Sequence, residues 1–350
     1  MTMTDCASCA DERAAGAAFC EACGRALGAP CPNCGIPGGV GEDGYCQNCG
    51  MLAGRPRDHI ENDRGEVAAA VTDRGRRHHR NEDAMWLAVR GADVDVVVSD
   101  GVSASFDPDV ASETAANTAG ALLAGSPDVS AAILGAKQAV ADLVNSGDPR
   151  RTTSNPACTI VLATVRGAEI NIGWVGDSRA YWLPPDGPAE QLTEDDSWAT
   201  HAIAMGADPI AAMQDPKAHA ITAWLGADAA PVLPRTGAFT VVEAGHLVLC
   251  SDGLWNYLPD PEAFAATVRA HLRAGGTLIS AARSLVEFAN AAGGADNITV
   301  ALIPVSSAAD VTPAHEALGE TPAHEIPAET PADEIPAVEI PAPADEKVKE

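Results

Sequence analysis

Nowhere in these 350 residues do eighteen apolar residues run together, so no helix of the chain is expected to span a bilayer. Positive charge is scarce as well: 22 Lys and Arg stand against 49 Asp and Glu, a formal net charge of −27. Nucleic acid and anionic membrane both reward a basic face, so neither is an expected partner. A secretory leader is also missing, because residues 1–10 are polar and reach cysteine at once. The expected compartment is therefore the reducing cytoplasm, where clustered cysteines bind metal rather than pair as disulfides.

What is present falls into zones. Residues 1–50 hold eight of the ten cysteines. Residues 51–64, MLAGRPRDHIENDR, are polar and aperiodic and read as a linker. From 65 to 305 the pattern is globular. Strand-like runs occur at 66–72, 84–89, 94–99, 158–166, 169–183, 238–242, 246–250 and 298–305. Helical patterns occur at 109–124, 129–145, 260–273 and 276–292. Strands arrive in adjacent pairs rather than alternating singly with helices, which favours an α+β fold of antiparallel sheets covered by helices. Residues 306–350 repeat every nine, as TPAHEALGE from Thr312, TPAHEIPAE from Thr321 and TPADEIPAV from Thr330. With proline in every repeat and no aromatics, this acidic tail has nothing to pack and is expected to be disordered.

The early cysteines form two sets, Cys6-x-x-Cys9 with Cys20-x-x-Cys23 and Cys31-x-x-Cys34 with Cys46-x-x-Cys49. Two thiolates from each tight knuckle close a tetrahedron, so each set predicts one structural zinc ion with no position left for water. Gly24, Gly35 and Gly50 each follow the second cysteine of a pair, where the turn calls for positive φ. The sets resemble the double zinc ribbon found as an accessory unit in bacterial proteins. Few basic residues accompany them, which favours a protein-docking or regulatory role over nucleic-acid binding.

Four acidic positions share one context in the globular zone. Asp100 ends VDVVVSD, Asp252 ends HLVLCSD, Asp177 follows EINIGWVG, and Asp296 precedes the run ITVALIPV. Each sets a carboxylate at the rim of a buried strand, where an unpaired charge is costly. Hard divalent cations such as Mg²⁺ or Mn²⁺ take such carboxylates together with carbonyls and waters. A lone Asp-Gly is usually just a turn. Four in this context are more specific.

Thr72-Asp73-Arg74-Gly75, Arg80-Asn81-Glu82-Asp83, Ser99-Asp100-Gly101, Gly176-Asp177-Ser178-Arg179, Ser251-Asp252-Gly253-Leu254-Trp255 and Asp296-Asn297 stand in order along the chain. In that order and spacing they resemble the motifs of the type 2C metal-dependent protein serine/threonine phosphatases, over roughly residues 65–305. The resemblance implies an αββα sandwich with a binuclear Mn²⁺ or Mg²⁺ centre between its sheets. Asp100 would bridge the ions, Asp252 and Asp296 would complete one, and the Gly101 carbonyl would bind the other with Glu82 and Asp83 at or near its shell. Asp177 would match a ligand of a third, weaker ion. The implied chemistry is metal-assisted hydrolysis of phosphoserine and phosphothreonine, opposing a protein kinase, with phosphorylated proteins as partners.

The chain departs from the family pattern in three places. The arginine expected four residues before Glu82 is replaced by His78; it or Arg77, His79 or Arg80 would hold the phosphate. Val102-Ser103-Ala104-Ser105 lacks the histidine of many relatives, and Asn256 stands where many have an acid for the third ion. Two further readings stay open on these grounds: a phosphatase-fold adaptor with weak or no turnover, and a dedicated phosphatase of one partner such as an anti-sigma antagonist. A catalytic zone independent of the ribbons predicts that a chain beginning near Asp58 folds and turns over alone.

Overall fold

The computed structural model describes residues 53–231 and 233–308, and before them positions 6, 8, 9, 12, 19–24, 26–27, 31, 34–41 and 44–51. Two compact units divide the chain, Met1–Val311 and Thr312–Glu350. The expected disordered tail lies outside the described residues.

One antiparallel sheet runs in the order β1 (His59–Asp63), β2 (Ala69–Asp73), β13 (Ile298–Val305), β12 (Gly245–Cys250), β8 (Arg179–Leu183), β9 (Glu190–Gln191). The other runs β11 (Arg235–Thr240), β7 (Glu169–Val175), β6 (Ile160–Arg166), β4 (Asp93–Ser99), β3 (Ala84–Arg90). A short pair, β5 (Ala157–Cys158) and β10 (Leu225–Gly226), stands beside them. Side chains alternate across each strand, and both faces are used. Ala70, Leu247, Leu249, Ala301 and Ile303 face inward and meet Val94, Val96, Val98, Val161, Ala163 and Ile172 of the second sheet. On the other face of the first sheet, Val71, Val248, Val300 and Leu302 pack under α6 (Pro261–Gly275) and α7 (Leu278–Ala292) through Phe264, Leu285 and Ala289. On the other face of the second sheet, Val97, Ile160 and Leu162 pack under α1 (Pro108–Gly125) and α2 (Val129–Asp142) through Ala115, Ala119 and Ile133. The four layers are the expected α+β sandwich. Short helices α3 (Trp198–Ala204), α4 (Pro209–Met213) and α5 (Asp252–Trp255) fill the connections.

Four expectations are corrected. The run at 169–183 is two strands in different sheets, because Gly176, at φ +105°, turns the chain across the sandwich between β7 and β8. The strand expected at 238–242 is displaced to β11, and the helix expected at 129–145 stops at Asp142. The supposed linker at 51–64 contains β1, paired residue for residue with β2 from His59↔Asp73 to Asp63↔Ala69. An exposed edge strand carries no apolar alternation, and its charges guard the open edge. Its side chains are tied down instead: His59 Nδ1 lies 2.7 Å from Asp73 Oδ2, and Arg283 grips Glu61 through two 2.7 Å hydrogen bonds.

The residues before β1 are also part of the sandwich. Asp58 is buried; its Oδ2 accepts from the Arg55 amide at 2.7 Å and its Oδ1 from the Asn81 amide at 3.2 Å. The Asp58 carbonyl accepts from the Arg74 amide at 2.7 Å. The Arg57 guanidinium reaches the carbonyls of Asp83 and Asp109 at 3.4 and 3.3 Å, and Glu113 at 3.1 Å. At the other end the Ala308 amide donates to the Val241 carbonyl at 3.0 Å. Residues 55–58 and 308 are therefore hydrogen-bonded into the sandwich, beyond the expected limits of 65 and 305.

In the ribbons, Sγ–Sγ distances of 3.4, 3.5 and 3.6 Å link Cys6–Cys9, Cys6–Cys20 and Cys9–Cys23. The corresponding Cys31–Cys49 and Cys34–Cys46 distances are 3.9 and 3.6 Å. A tetrahedron of about 2.3 Å Zn–S bonds has edges of about 3.8 Å, so both sets fit zinc. Amides of Gly24, Gly35 and Gly50, all at positive φ, donate to the carbonyls of Cys20, Cys31 and Cys46 and close the knuckles.

Removing Arg57 and Asp58 takes away several charged hydrogen bonds to the loop holding Glu82 and Asp83. A chain starting at Ala53 should melt within about 2 °C of the sandwich's transition in the full chain, whereas one starting at His59 should lose about 2–4 kcal/mol, or roughly 5–10 °C. Calorimetry of the two truncations measures this, and equal melting would return the boundary to the linker.

Candidate active site

Antiparallel register collects strand ends. Ala84 pairs with Ser99, Ile160 with Val175, Ile298 with Asp73, and Cys250 with both Val300 and Arg179. The residues just beyond those pairs are therefore Asp83, Asp100, Gly176-Asp177, Asp252 and Asp296-Asn297, delivered to one end of the sandwich from both sheets.

Backbone ties lock this end. The Thr159 amide donates to the Asp100 carbonyl at 2.7 Å, and the Val102 amide to Ala157 at 2.9 Å, so Asp100 and Gly101 are held against β5. A Cβ on Gly101 would meet the Pro108 and Glu82 carbonyl oxygens at 2.5 and 2.7 Å, and one on Gly253 would collide with the Asn297 carbonyl. Neither position admits another residue. Asn297 fastens the two sheets: its Oδ1 accepts from the Glu82 amide at 2.7 Å, while its Nδ2 donates to the carbonyls of Arg74 and Arg80 at 2.7 and 3.0 Å. Asn81 does the same one residue before Glu82, donating to Thr72 Oγ1 at 2.9 Å and accepting from the Asp83 amide at 3.1 Å.

The carboxylates so held lack compensating charge. Asp83 Oδ2 accepts from Ser251 Oγ at 2.8 Å and Thr299 Oγ1 at 2.7 Å, but its Oδ1 is buried with no protein partner, and so is Asp252 Oδ1. Burial pushes Asp83 up to about 7 against those hydroxyl donors, and Asp296 adds to the rise. Burial raises Asp100 well above the ordinary range, with Asp83, Asp252, Asp296 and Asp177 adding repulsion. Asp252 is raised by burial and then by Asp296, Asp177 and Asp83. Asp177 is lifted to about 7 by burial and by Asp195. Four mutually repelling carboxyls, Asp83 and Asp177 buried and Asp100 and Asp252 half-buried, with open oxygens on Asp83 and Asp252, fit divalent cations, which restore the missing charge. Among the described residues, the cysteine sets are the groups whose ligand atoms all lie within 4.8 Å of one another. The carboxylate set is wider, as suits hard ions that keep several waters.

Around this core sit the other residues singled out from sequence. His78 lies inside the cluster, with Nε2 3.1 Å from Asp296 Oδ1 and Nδ1 3.8 Å from Glu82 Oε2. Arg80 places Nε 3.4 Å from Glu82 Oε1 and Nη1 2.9 Å from Asp109 Oδ1. Glu82 Oε2 also accepts from Ser103 Oγ at 2.6 Å, so the segment lacking the family histidine instead orients a carboxylate. Asn256 Nδ2 donates to Asp252 Oδ2 at 3.1 Å. The Asp177 turn is held by the Trp255 indole, which donates to its carbonyl at 3.0 Å, and that ring lies 3.5 Å beneath the Arg179 guanidinium. Arg179 in turn grips Asp195 at 2.9 and 2.7 Å.

Residues missed in sequence are Asp58, Ser103, Asp109, Ser251 and Thr299. The last two lie in or beside apolar strand runs, and only the cross-sheet pairing shows that their hydroxyls meet Asp83. The serine of each Ser-Asp-Gly was a usable signal, since Ser99 Oγ likewise donates to the Thr159 carbonyl at 2.7 Å.

The geometry agrees with what this chain is similar to. The protein phosphatase 2C family matches residues 72–289. The serine/threonine phosphatase stp of Listeria innocua is 30% identical over 245 residues, 66% of this chain and 93% of that protein. A Streptococcus agalactiae serine/threonine phosphatase structure superposes with a TM-score of 0.58 at 27% identity, covering 69% of this chain and 99% of that one. The catalytic domain of the phosphatase PstP in complex with two manganese ions does so with a TM-score of 0.55 at 25% identity, covering 69% and 99%. With its strand order, its motif order and its crowd of strand-end carboxylates in place, this chain belongs to the protein phosphatase 2C family of serine/threonine phosphatases.

Proposed function

We propose that residues 53–308 hydrolyse phosphoserine and phosphothreonine in proteins modified by a serine/threonine kinase, using two Mn²⁺ or Mg²⁺ ions. The observation that carries this reading is the set of buried and half-buried, like-charged carboxyls, two with open oxygens, at the meeting of the two sheets. Asp100 with Asp252 and Asp296 would hold one ion, and Asp100 with the Gly101 carbonyl, Glu82 and Asp83 would hold the other. When bound, the ions acidify a water and neutralise phosphoryl charge. Asp177 would serve a third ion, at a site weakened by Asn256 because an amide brings no charge. His78 and Arg80 hold the phosphate, each oriented by a carboxylate already in the site. Among the described residues no helix is long and apolar enough to cross a membrane, and we place the reaction in the cytoplasm.

Asp100→Asn should lower kcat for an aryl phosphate by at least about a thousandfold with the melting temperature kept or raised, because it removes the bridging charge and also relieves repulsion. Near wild-type turnover in that variant would sink the mechanism.

The raised carboxyls also set a pH dependence. Unfolded, they ionise near about 4. Between there and about 7 the metal-free fold holds more protons than the unfolded chain, so its stability falls as pH rises through that window. Glu61 and Asp148, held down to about 2 by Arg283 and Arg150, do not titrate there. Melting scans from pH 5 to 8 after dialysis should show this fall, and the gain from added Mn²⁺ should grow with pH. A Mn²⁺ gain that shrinks towards pH 8 would contradict it.

The cysteine sets are proposed to carry one structural zinc each, in a docking or regulatory module. Elemental analysis should count two zincs per chain, and Cys34→Ser with Cys46→Ser should remove one. A zinc-free wild-type chain would refute the assignment.

A further inference from the structure

Resting on that phosphatase reading, we propose that Arg76 and Arg77, with His79 beside them, form a cationic ledge that selects acidic residues flanking the phosphorylated residue of a protein substrate. The two arginines stand apart from their neighbours in the same stretch. Arg57 faces Glu113 at 3.1 Å, Arg74 faces Asp58 at 3.7 Å, and Arg80 faces Asp109 at 2.9 Å. Arg76 and Arg77 are exposed, and neither makes an ion pair among the described residues. In a chain with 49 acidic residues against 22 Lys and Arg, two adjacent guanidinium groups without an acidic partner mark a surface kept for an external anion.

Their placement says which anion. Amides of Arg76 and Arg77 both donate to the Gly294 carbonyl, at 2.9 and 3.2 Å, so the loop backbone is anchored while the side chains look outward. Gly294 is two residues before Asp296, and the residue after Arg77 is His78, 3.1 Å from Asp296. The ledge thus borders the carboxylate cluster directly. On its other side, His79 Nδ1 lies 3.0 Å from the Tyr45 hydroxyl of the second ribbon. An extended peptide rises about 3.3 Å per residue, so a chain presenting its phosphate to the cluster lays its next one to three residues across this rim. Exposed guanidinium–carboxylate contacts are individually weak, and a pair of them amounts to a selectivity of about three- to tenfold, largest at low salt.

The test uses the full chain with Mn²⁺ and two phosphothreonine peptides of equal length, one flanked by Asp and Glu, the other by Ala and Gln. The readout is the ratio of their kcat/KM values, which cancels any effect common to both. Wild type should prefer the acidic peptide by about three- to tenfold near 50 mM salt, and the preference should shrink at about 0.5 M. Arg76→Glu with Arg77→Glu should bring the ratio to one or below, and Arg76→Lys with Arg77→Lys should restore most of it. A wild-type ratio of one, or a preference that survives the double charge reversal, overturns the ledge while leaving the phosphatase intact. If wild type turns over neither peptide, the phosphatase reading fails and takes the ledge with it.

Discussion

Everything at the working end of this molecule depends on holding together carboxylates that repel one another. Asp83, Asp100, Asp177 and Asp252 are all driven towards their protonated forms, by burial first and by neighbouring carboxyls second, Asp296 for Asp83 and Asp252, Asp83 for Asp100 and Asp195 for Asp177. Side chains alone could not keep such a cluster closed, because each would swing towards water. The fold uses backbone instead. Asp100 is locked to β5 through its own carbonyl, Glu82 through its amide to Asn297, and Asp83 through an amide to Asn81. Neutral donors, the hydroxyls of Ser251 and Thr299 and the amide of Asn256, meet the carboxylates without cancelling their charge. The charge remains for cations to satisfy.

Much of this was legible because buried strands in a four-layer sandwich must be apolar on both faces. VDVVVSD and HLVLCSD announce both a strand and the point where it stops, and an acid at that point is conspicuous. Failures trace to places where the physical signal is absent. HIEND is a strand by pairing alone, since an exposed edge has no core face to write into the sequence. The run at 169–183 reads as one strand because a single glycine is all that separates two sheets. Asp58 looked like linker charge, and only the fold shows it buried against the Asn81 amide. His78 was found by counting, but its position between Asp296 and Glu82 is a tertiary fact.

Asn256 and the segment at Ser103 depart from the family pattern in one direction. Asn256 replaces an acid with an amide that still bonds Asp252, which removes one like charge from a site already crowded with them. Ser103 turns a segment without the family histidine into a short hydrogen bond on Glu82. Each change reduces the net repulsion of the metal-free site without removing a proposed ligand of the two principal ions.

Two connections tie the ribbons to that site, and both end on the loop between β2 and β3. One is the chain itself, whose arm accepts a hydrogen bond from the Asn81 amide at Asp58 and donates one from Arg57 to the Asp83 carbonyl. The other is the contact between Tyr45, next to Cys46 of the second cysteine set, and His79. A ribbon displaced by a partner must either break the second contact or carry His79 with it. The loop backbone is pinned on either side of His78 and His79, at Arg76 and Arg77 by Gly294 and at Arg80 by Asn297. The accessory module is thereby joined to the chemistry at its most crowded point.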